Sequence, residues 1–193
     1  MSEFIKDGTG KGYLAQVNAD NQLVTRATAV EQRLHSTIDS NYFEATTGVV
    51  TLTDAAESDI LYITYTGEKK LVIDRVFYDT WKSTGGTVNT GTLKYYHNIT
   101  SVTGGTAATV TNTHLGTTNT LDATITKSTT FTGGTVWWSA LFTAGVSAAL
   151  EEGRIVLSPG ASFGISVAAD TSNSSMKVNI NVAMYEFDPT LIQ

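Results

Sequence analysis

A ten-residue segment near the C-terminus constrains the fold of this chain more than any other feature. Between Met176 and Tyr185, apolar and polar side chains alternate. A period of two is the repeat of a β-strand with one buried face, whereas an amphipathic helix needs a period of about 3.6 residues. The segment therefore predicts a strand that packs one apolar face against a core. That face consists of Met176, Val178, Ile180, Val182 and Met184.

Further strand-like runs follow one another from Gly48 onward. They lie at residues 49–52, 60–65, 71–78, 92–96, 154–157 and 162–167. Turn-forming residues separate several of them, including Pro159 and Gly160. The only helix candidate in this part is the short segment 146–152, which is rich in Ala and Glu. Many strands with almost no helix predict an all-β fold, either a β-sandwich or a β-barrel.

The middle of the chain is poor in charge. Residues 99–150 contain only two formally charged side chains, Asp122 and Lys127, and they are rich in threonine. The sequence TGGT occurs at 103–106 and 132–135, and a near copy spans 83–88. Their unequal spacing argues against an internal repeat, so the glycine pairs predict hairpin turns between threonine-rich strands. Since such strands expose edges that pair with other chains, we expect burial against identical subunits and hence a homo-oligomer.

The first 44 residues differ from the rest because they contain few large apolar residues and little alternation. Residues 28–35 favour one or two helical turns. A segment of this composition cannot bury enough of itself to fold alone, so it is either a disordered tail or an arm that lies on a partner surface. The sequence thus predicts an N-terminal arm at residues 1–44 and a β-domain at residues 45–193.

Composition excludes several classes of function. The formal net charge is −6, so the chain lacks a general basic surface for nucleic acid. No apolar run approaches 18 residues, and the N-terminus has no apolar signal segment, so neither a membrane partner nor export is expected. The absence of cysteine excludes disulfides and thiolate chemistry, and it suits synthesis in a reducing cytoplasm.

Three closely spaced glycines, Gly8, Gly10 and Gly12, resemble a phosphate-binding loop at first sight. A P-loop needs Ser or Thr after its lysine, but Lys11 is followed by Gly12, and no strand precedes Gly8. A dinucleotide-binding fingerprint also fails, because no strand–helix–strand unit surrounds the glycines. We interpret the segment as extended backbone with glycine hinges that can lie close to another chain.

No pattern of catalytic or metal-binding residues emerges. The histidines have no chelating spacing, and no serine lies in a nucleophile elbow. Clustered carboxylates could serve glycoside hydrolysis or Ca²⁺ binding, but a solvated turn is the favoured interpretation. We therefore predict no catalytic residue, no metal, no cofactor and no enzymatic activity. The residues considered are His35, His97 and His114, the carboxylates Asp54, Glu57 and Asp59, and the pair Glu151 and Glu152.

The tryptophans are the remaining candidate contact residues. Trp81 ends a predicted strand, and Trp137 and Trp138 follow a glycine pair. Neighbouring residues of a strand face opposite sides, so only one of Trp137 and Trp138 is expected to enter a given core. The other is expected to contact a subunit, since tryptophan is enriched at interfaces, or alternatively a glycan.

Three segments of the chain together resemble structural proteins of tailed-bacteriophage virions. The first is DGTGKGYLAQVNADNQL, with DGTG followed by V-x-x-x-N-x-L. The second, at residues 47–78, contains TLT, ES, ILYI and LVID, and the third is IVLSPGASFGISV with the alternating strand after it. The resemblance covers about residues 7–76 and 154–186, and it leaves the threonine-rich middle unmatched.

This resemblance implies a jelly-roll-like β-sandwich, symmetric oligomers and no catalysis. The expected function is that of a capsid decoration or cement protein. A trimer is the favoured oligomer, and the expected location is the virion, with the capsid surface favoured, after synthesis in the host cytoplasm. Its partner would be the major capsid protein or another virion protein, held by the arm. Alternatives are a tail, collar or fibre component, or a carbohydrate- or receptor-binding module. The arm residues expected to make contacts are Asp7, Gly8, Gly10, Gly12, Tyr13, Leu14, Val17 and Leu23.

Overall fold

A computed structural model describes residues 40–52, 56–82, 90–143, 147–150, 155–169 and 176–187, together with three short strands between residues 4 and 24. Every regular element in these residues is a β-strand, and the sheets are antiparallel. The predicted all-β class is therefore confirmed. The strands are β1 (Phe4–Lys6), β2 (Leu14–Val17), β3 (Leu23–Val24), β4 (Tyr42–Thr46), β5 (Val50–Thr51), β6 (Glu57–Tyr65), β7 (Lys70–Lys82), β8 (Thr90–Ala107), β9 (Thr109–Asn112), β10 (Ala123–Thr143), β11 (Ser147–Leu150), β12 (Ile155–Leu157), β13 (Ser162–Ala169) and β14 (Met176–Phe187).

The chain divides into two compact units, Met1–Gln32 and Arg33–Gln193. In the first unit, β1, β2 and β3 form a three-stranded antiparallel sheet that sequence alternation did not indicate. In the second unit, β4 already belongs to the large sheet. The arm boundary predicted at residue 44 therefore falls inside a strand.

The second unit is a β-sandwich. One layer is a seven-stranded sheet with the order β11-β7-β14-β4-β9, to which β12 adds beside β7 and β5 beside β14. In the other layer, β10, β6, β13 and β8 close into a barrel. The main core contains buried side chains from both layers, such as Phe43 and Ile73 from the large sheet and Ile63 and Ile165 from the barrel.

The alternating segment forms β14 at the centre of the large sheet, between β7 on one side and β4 and β5 on the other. The five apolar residues of its predicted face are each at most 1% exposed. Because a one-residue slip would turn this whole face to the opposite side, its burial fixes the register of the sheet.

Two predicted turns each join a strand of one layer to a strand of the other layer. They do not join strands that pair with each other. The strand pair expected at residues 60–78 forms β6 and β7, but β6 lies in the barrel and β7 in the large sheet. The turn at Pro159 likewise leads from β12 in the large sheet to β13 in the barrel, with Gly160 at a φ of 80°. The sequence pattern predicted where these strands lie, but which strands pair with one another depends on the packing of the two layers.

The glycine pairs of the threonine-rich middle do not form the predicted hairpin turns. They lie inside β8 and β10, which pair along most of their length. Gly105 (φ 83°) lies opposite Ser128 (φ 49°), and Gly134 (φ 88°) lies opposite Asn98 (φ 56°). At each of these two paired positions, both strands therefore have a residue in the left-handed backbone conformation. These residues bend the strand pair, but the pairing continues beyond them.

The helix candidate at residues 146–152 is a strand in its described part, because Ser147–Leu150 forms β11 on the edge of β7. A helix of two turns is marginal in water, whereas the open edge of β7 supplies hydrogen-bond partners for the backbone. The possible helical turns at 28–35 and the near repeat at 83–88 lie outside the described residues.

Candidate functional site

Strand β13 is buried on both faces, and this positions a second cluster of side chains away from the main core. Phe163, Ile165 and Val167 point into the main core. On the other face, a Cβ added to Gly164 would lie 2.5 Å from Cδ1 of Ile99 and 3.1 Å from the ring of Phe131. The side chains of Ile99 and Phe131 therefore occupy the space beside Gly164 that a larger residue would need.

A polar network extends this cluster on the same face of β13. The carboxylate of Glu57 accepts hydrogen bonds from Lys94 Nζ (2.5 Å), the hydroxyl of Tyr96 (2.6 Å) and the hydroxyl of Ser166. Glu57 is the first residue of β6 and is exposed, so it lies in a strand rather than in the predicted turn, although its predicted solvent exposure is confirmed. The sequence could not show this network, because its donors come from β8 and β13.

The hydrogen bonds set the charge of Glu57. Burial raises the pKa of its carboxyl, but the hydrogen bonds from Lys94, Ser166 and Tyr96 together outweigh burial and leave the pKa below its ordinary value. A carboxylate stabilised in this way is a poor proton acceptor. The network is thus suited to holding the barrel together rather than to acid–base catalysis.

The neighbouring Asp59 is also placed on β6 rather than in a turn. Its Oδ2 accepts a hydrogen bond from the backbone N–H of Phe131 at 2.9 Å. Burial raises the pKa of Asp59 and the charge of Glu57 adds to the increase, although the N–H of Phe131 opposes it. Asp54 and the pair Glu151 and Glu152 lie outside the described residues.

The structure brings Trp137 and Trp138 to the same aromatic ring. Trp138 stacks on Tyr95 with ring centroids 4.6 Å apart, and the ring of Trp137 lies 5.9 Å from Tyr95. The pairing of β10 with β8 shifts register between Val136 and Trp138. This bulge breaks the strict alternation from which opposite faces were expected.

The two tryptophans nevertheless differ in exposure. Trp138 is packed against the main core, whereas Trp137 is 47% exposed. Trp137 borders a shallow groove of about 280 Å³ together with His97, Val156 and Phe163. Trp81 lies far along β7, opposite Lys177 on β14, so it does not share this groove.

Three of the predicted arm residues lie in strands of the first unit, Leu14 and Val17 in β2 and Leu23 in β3. Val17 pairs with Leu23 in the register of these strands. The remaining predicted arm residues, Asp7, Gly8, Gly10, Gly12 and Tyr13, lie outside the described residues.

A further surface, which sequence analysis did not single out, lies on the outer face of the seven-stranded sheet. It is a pocket of about 560 Å³. Arg75 on β7 and Glu44 on β4 flank Ala183 on the strand between them. One step along the sheet, Phe77 lies beside Asn181. The walls are completed by Tyr42 and Thr113, whose backbones are hydrogen-bonded to each other at 3.0 Å.

The two histidines in the described part of the chain, His97 and His114, do not share a site. His114 Nδ1 lies 2.6 Å from the hydroxyl of Ser40, His97 borders the Trp137 groove, and His35 is outside the described residues. Within the described ranges, no three His, Asp or Glu side chains form a group that could hold a metal ion. The same residues include no helix with the length and hydropathy needed to cross a membrane.

Comparison with known proteins adds no relative: no protein-family model matches the chain, and no curated protein matches its sequence.

Proposed function

We propose that this chain is a non-enzymatic structural protein of a tailed-bacteriophage virion, with a capsid decoration or cement protein as the favoured form. The observation that carries the proposal is the presence, in one chain, of a phage-like N-terminal segment and a β-domain with a large uncharged surface. The N-terminal segment supplies attachment to the major capsid protein, and the β-domain supplies contacts between copies.

The uncharged surface is provided by β8 and β10. No residue from 100 to 107 is buried, every residue from 132 to 137 is exposed, and neither segment carries a charged side chain. Val136, Trp137 and Leu141 add exposed apolar area, with Leu141 79% exposed. A surface of this kind is a liability on a monomer, because it favours pairing with other chains. Burial between subunits removes that liability and favours an oligomer, for which the resemblance to virion proteins implies a trimer.

The arm supports attachment through many modest contacts. If β1, β2 and β3 separate on the capsid, the forty residues before β4 reach on the order of 130 Å when extended, which is enough to cross onto neighbouring subunits. Ordering them costs about 1–2 kcal/mol per residue in backbone entropy, so the arm needs a partner that offers continuous contacts or strand addition. A lattice of identical capsid proteins is such a partner.

Two variants test attachment through the N-terminal segment and association through the uncharged surface of β8 and β10 separately. A variant without residues 1–30 should keep its oligomeric mass but bind expanded capsids of the cognate phage roughly tenfold less well or worse. A variant carrying Val136→Lys and Leu141→Lys should instead lose the mass of an oligomer built from 20.6 kDa chains. Light scattering after size-exclusion chromatography gives the mass, and quantitative electron microscopy gives the occupancy. Undiminished occupancy by the truncated chain would refute attachment through the arm.

The position on the virion has its own test. Image reconstruction of the virion, compared with particles lacking this chain, should show density removed from the head surface. Density lost from the tail, collar or fibres would replace the decoration role with the second form of the proposal.

A further inference from the structure

We propose that the pocket on the outer face of the seven-stranded sheet, centred on Arg75, Glu44, Asn181 and Phe77, binds a neutral oligosaccharide. This inference goes beyond the structural role proposed above, and it does not depend on that role.

The first argument is the disposition of charge. Arg75 and Glu44 lie on β7 and β4, on either side of Ala183, so their Cα atoms are about 10 Å apart. No ion pair or hydrogen bond joins either side chain to another of the described residues. A donor-only group and an acceptor-only group therefore face the same pocket across the small side chain of Ala183.

The second argument is what such a pair can bind. A carboxylate or phosphate would suit Arg75 but be repelled by Glu44, and an amine would have the opposite difficulty. A hydroxyl group both donates and accepts, so adjacent hydroxyls of one sugar can accept from Arg75 and donate to Glu44. The amide of Asn181, one step along β14 from Ala183, adds a further donor and acceptor to the pocket. The charges thus select a neutral, hydroxyl-rich molecule.

The third argument is the shape and apolar content of the surface. Phe77 lies beside Asn181 and supplies an aromatic surface for the apolar C–H face of a sugar ring. The volume of about 560 Å³ is in the range of small-molecule sites and exceeds the needs of a single small ion.

The surface also continues beyond the pocket, which favours an oligosaccharide as the ligand over a single sugar. Along β7, Asp79 and Trp81 follow Phe77 on the same face, and Asn179 and Lys177 lie opposite them on β14. Phe77 and Trp81 are four residues apart, or about 13 Å along the strand. Polar groups between two aromatic residues at this separation suit a ligand of several sugar units.

The experiment uses the full chain with maltotriose, cellotriose and N-acetylated chitotriose, and with the zwitterionic dipeptide diglycine for comparison, each examined by saturation-transfer difference NMR. At least one trisaccharide should receive saturation from the protein. In Arg75→Ala and Phe77→Ala, the affinity for it should fall about tenfold or more, as expected for loss of a charged hydrogen bond or an aromatic contact. Glu44→Gln, which keeps the shape of the side chain, should weaken binding less than Arg75→Ala.

Glu68→Gln is the matched control, because Glu68 is an exposed carboxylate outside this pocket. It should bind the trisaccharide as the unaltered chain does. Circular dichroism confirms that each variant is folded. The proposal is overturned if none of the three sugars receives saturation, if only the zwitterion diglycine binds, or if Glu68→Gln loses binding while Arg75→Ala keeps it. None of these results alters capsid occupancy, so failure here is distinguishable from failure of the structural role.

Discussion

Replacing Gly164 by alanine should destabilise the barrel, although glycine in a strand is normally unfavourable. The added methyl group would lie 2.5 Å from Cδ1 of Ile99 and 3.1 Å from two ring atoms of Phe131. Carbon atoms in good contact are about 3.5–4.0 Å apart, so the first distance is short by about 1 Å and the second by several tenths. Both neighbours must therefore move to admit the methyl group.

The two neighbours differ in how easily they can move. Cδ1 of Ile99 is the end of a flexible side chain, so rotation can relieve the shorter contact. Phe131 is buried, its ring packs edge-on against Tyr96 at 5.2 Å, and its N–H is bonded to Asp59. Overpacking of this kind costs about 1–3 kcal/mol, whereas replacing glycine restricts the unfolded chain and returns about 0.4–1 kcal/mol. We expect a net loss of about 1–2 kcal/mol in the free energy of unfolding.

A double-mutant cycle tests the cause as well as the size of the effect. Ile99→Val removes the closest atom, so Gly164→Ala should cost less in that background, with a coupling of about 0.5–1 kcal/mol. Val110→Ala, on an edge strand of the other sheet, serves as the additive control. Urea denaturation measures all the variants. If Gly164→Ala is as stable as the unaltered chain, or if its cost is unchanged by Ile99→Val, the packing argument is refuted.

Two further predictions concern polar groups. Because the folded-state pKa of Glu57 lies below its ordinary value of 4.5, its contribution to stability is present at neutral pH and is lost as the pH falls through the lowered pKa. Glu57→Gln should therefore lower the urea midpoint at pH 7, and the difference from the unaltered chain should shrink toward pH 3; a constant difference would contradict the linkage. Tyr42→Phe removes the 2.6 Å hydrogen bond from the Tyr42 hydroxyl to the buried Asp74 carboxylate, so unfolding should become easier by about 1–3 kcal/mol. An unchanged thermal and urea midpoint in Tyr42→Phe would show that this bond adds nothing.

Much of the fold could be predicted from local patterns. The alternation in β14, the apolar runs of β6 and β7 and the turn at Pro159 each reflect a backbone conformation that a few neighbouring residues determine. Such signals locate strands well, because the period of two is a property of the strand itself. They say nothing about the partner strand, so they could not show that β6 and β7 belong to different sheets.

The candidate sites were less accessible to sequence. Trp137 was identified as a possible contact residue, and the structure leaves it half exposed, but its shared contact with Trp138 depends on a bulge. The pocket around Arg75 and Glu44 was missed because these residues are 31 positions apart and meet only across β14. Neither residue stands out locally, since single charged residues are common on the exposed face of a strand.

The sequence by itself determined the all-β class, the buried face of β14 and the uncharged character of the middle segment. Tertiary structure decided that the glycine pairs bend long strands rather than close hairpins, that Ser147–Leu150 is a strand rather than a helix, and that Glu57 is bonded to Lys94, Tyr96 and Ser166. The physical reason is the range of the interactions. Side-chain periodicity is set within a few residues, whereas strand pairing, bulges and polar networks depend on groups that only the folded chain brings together.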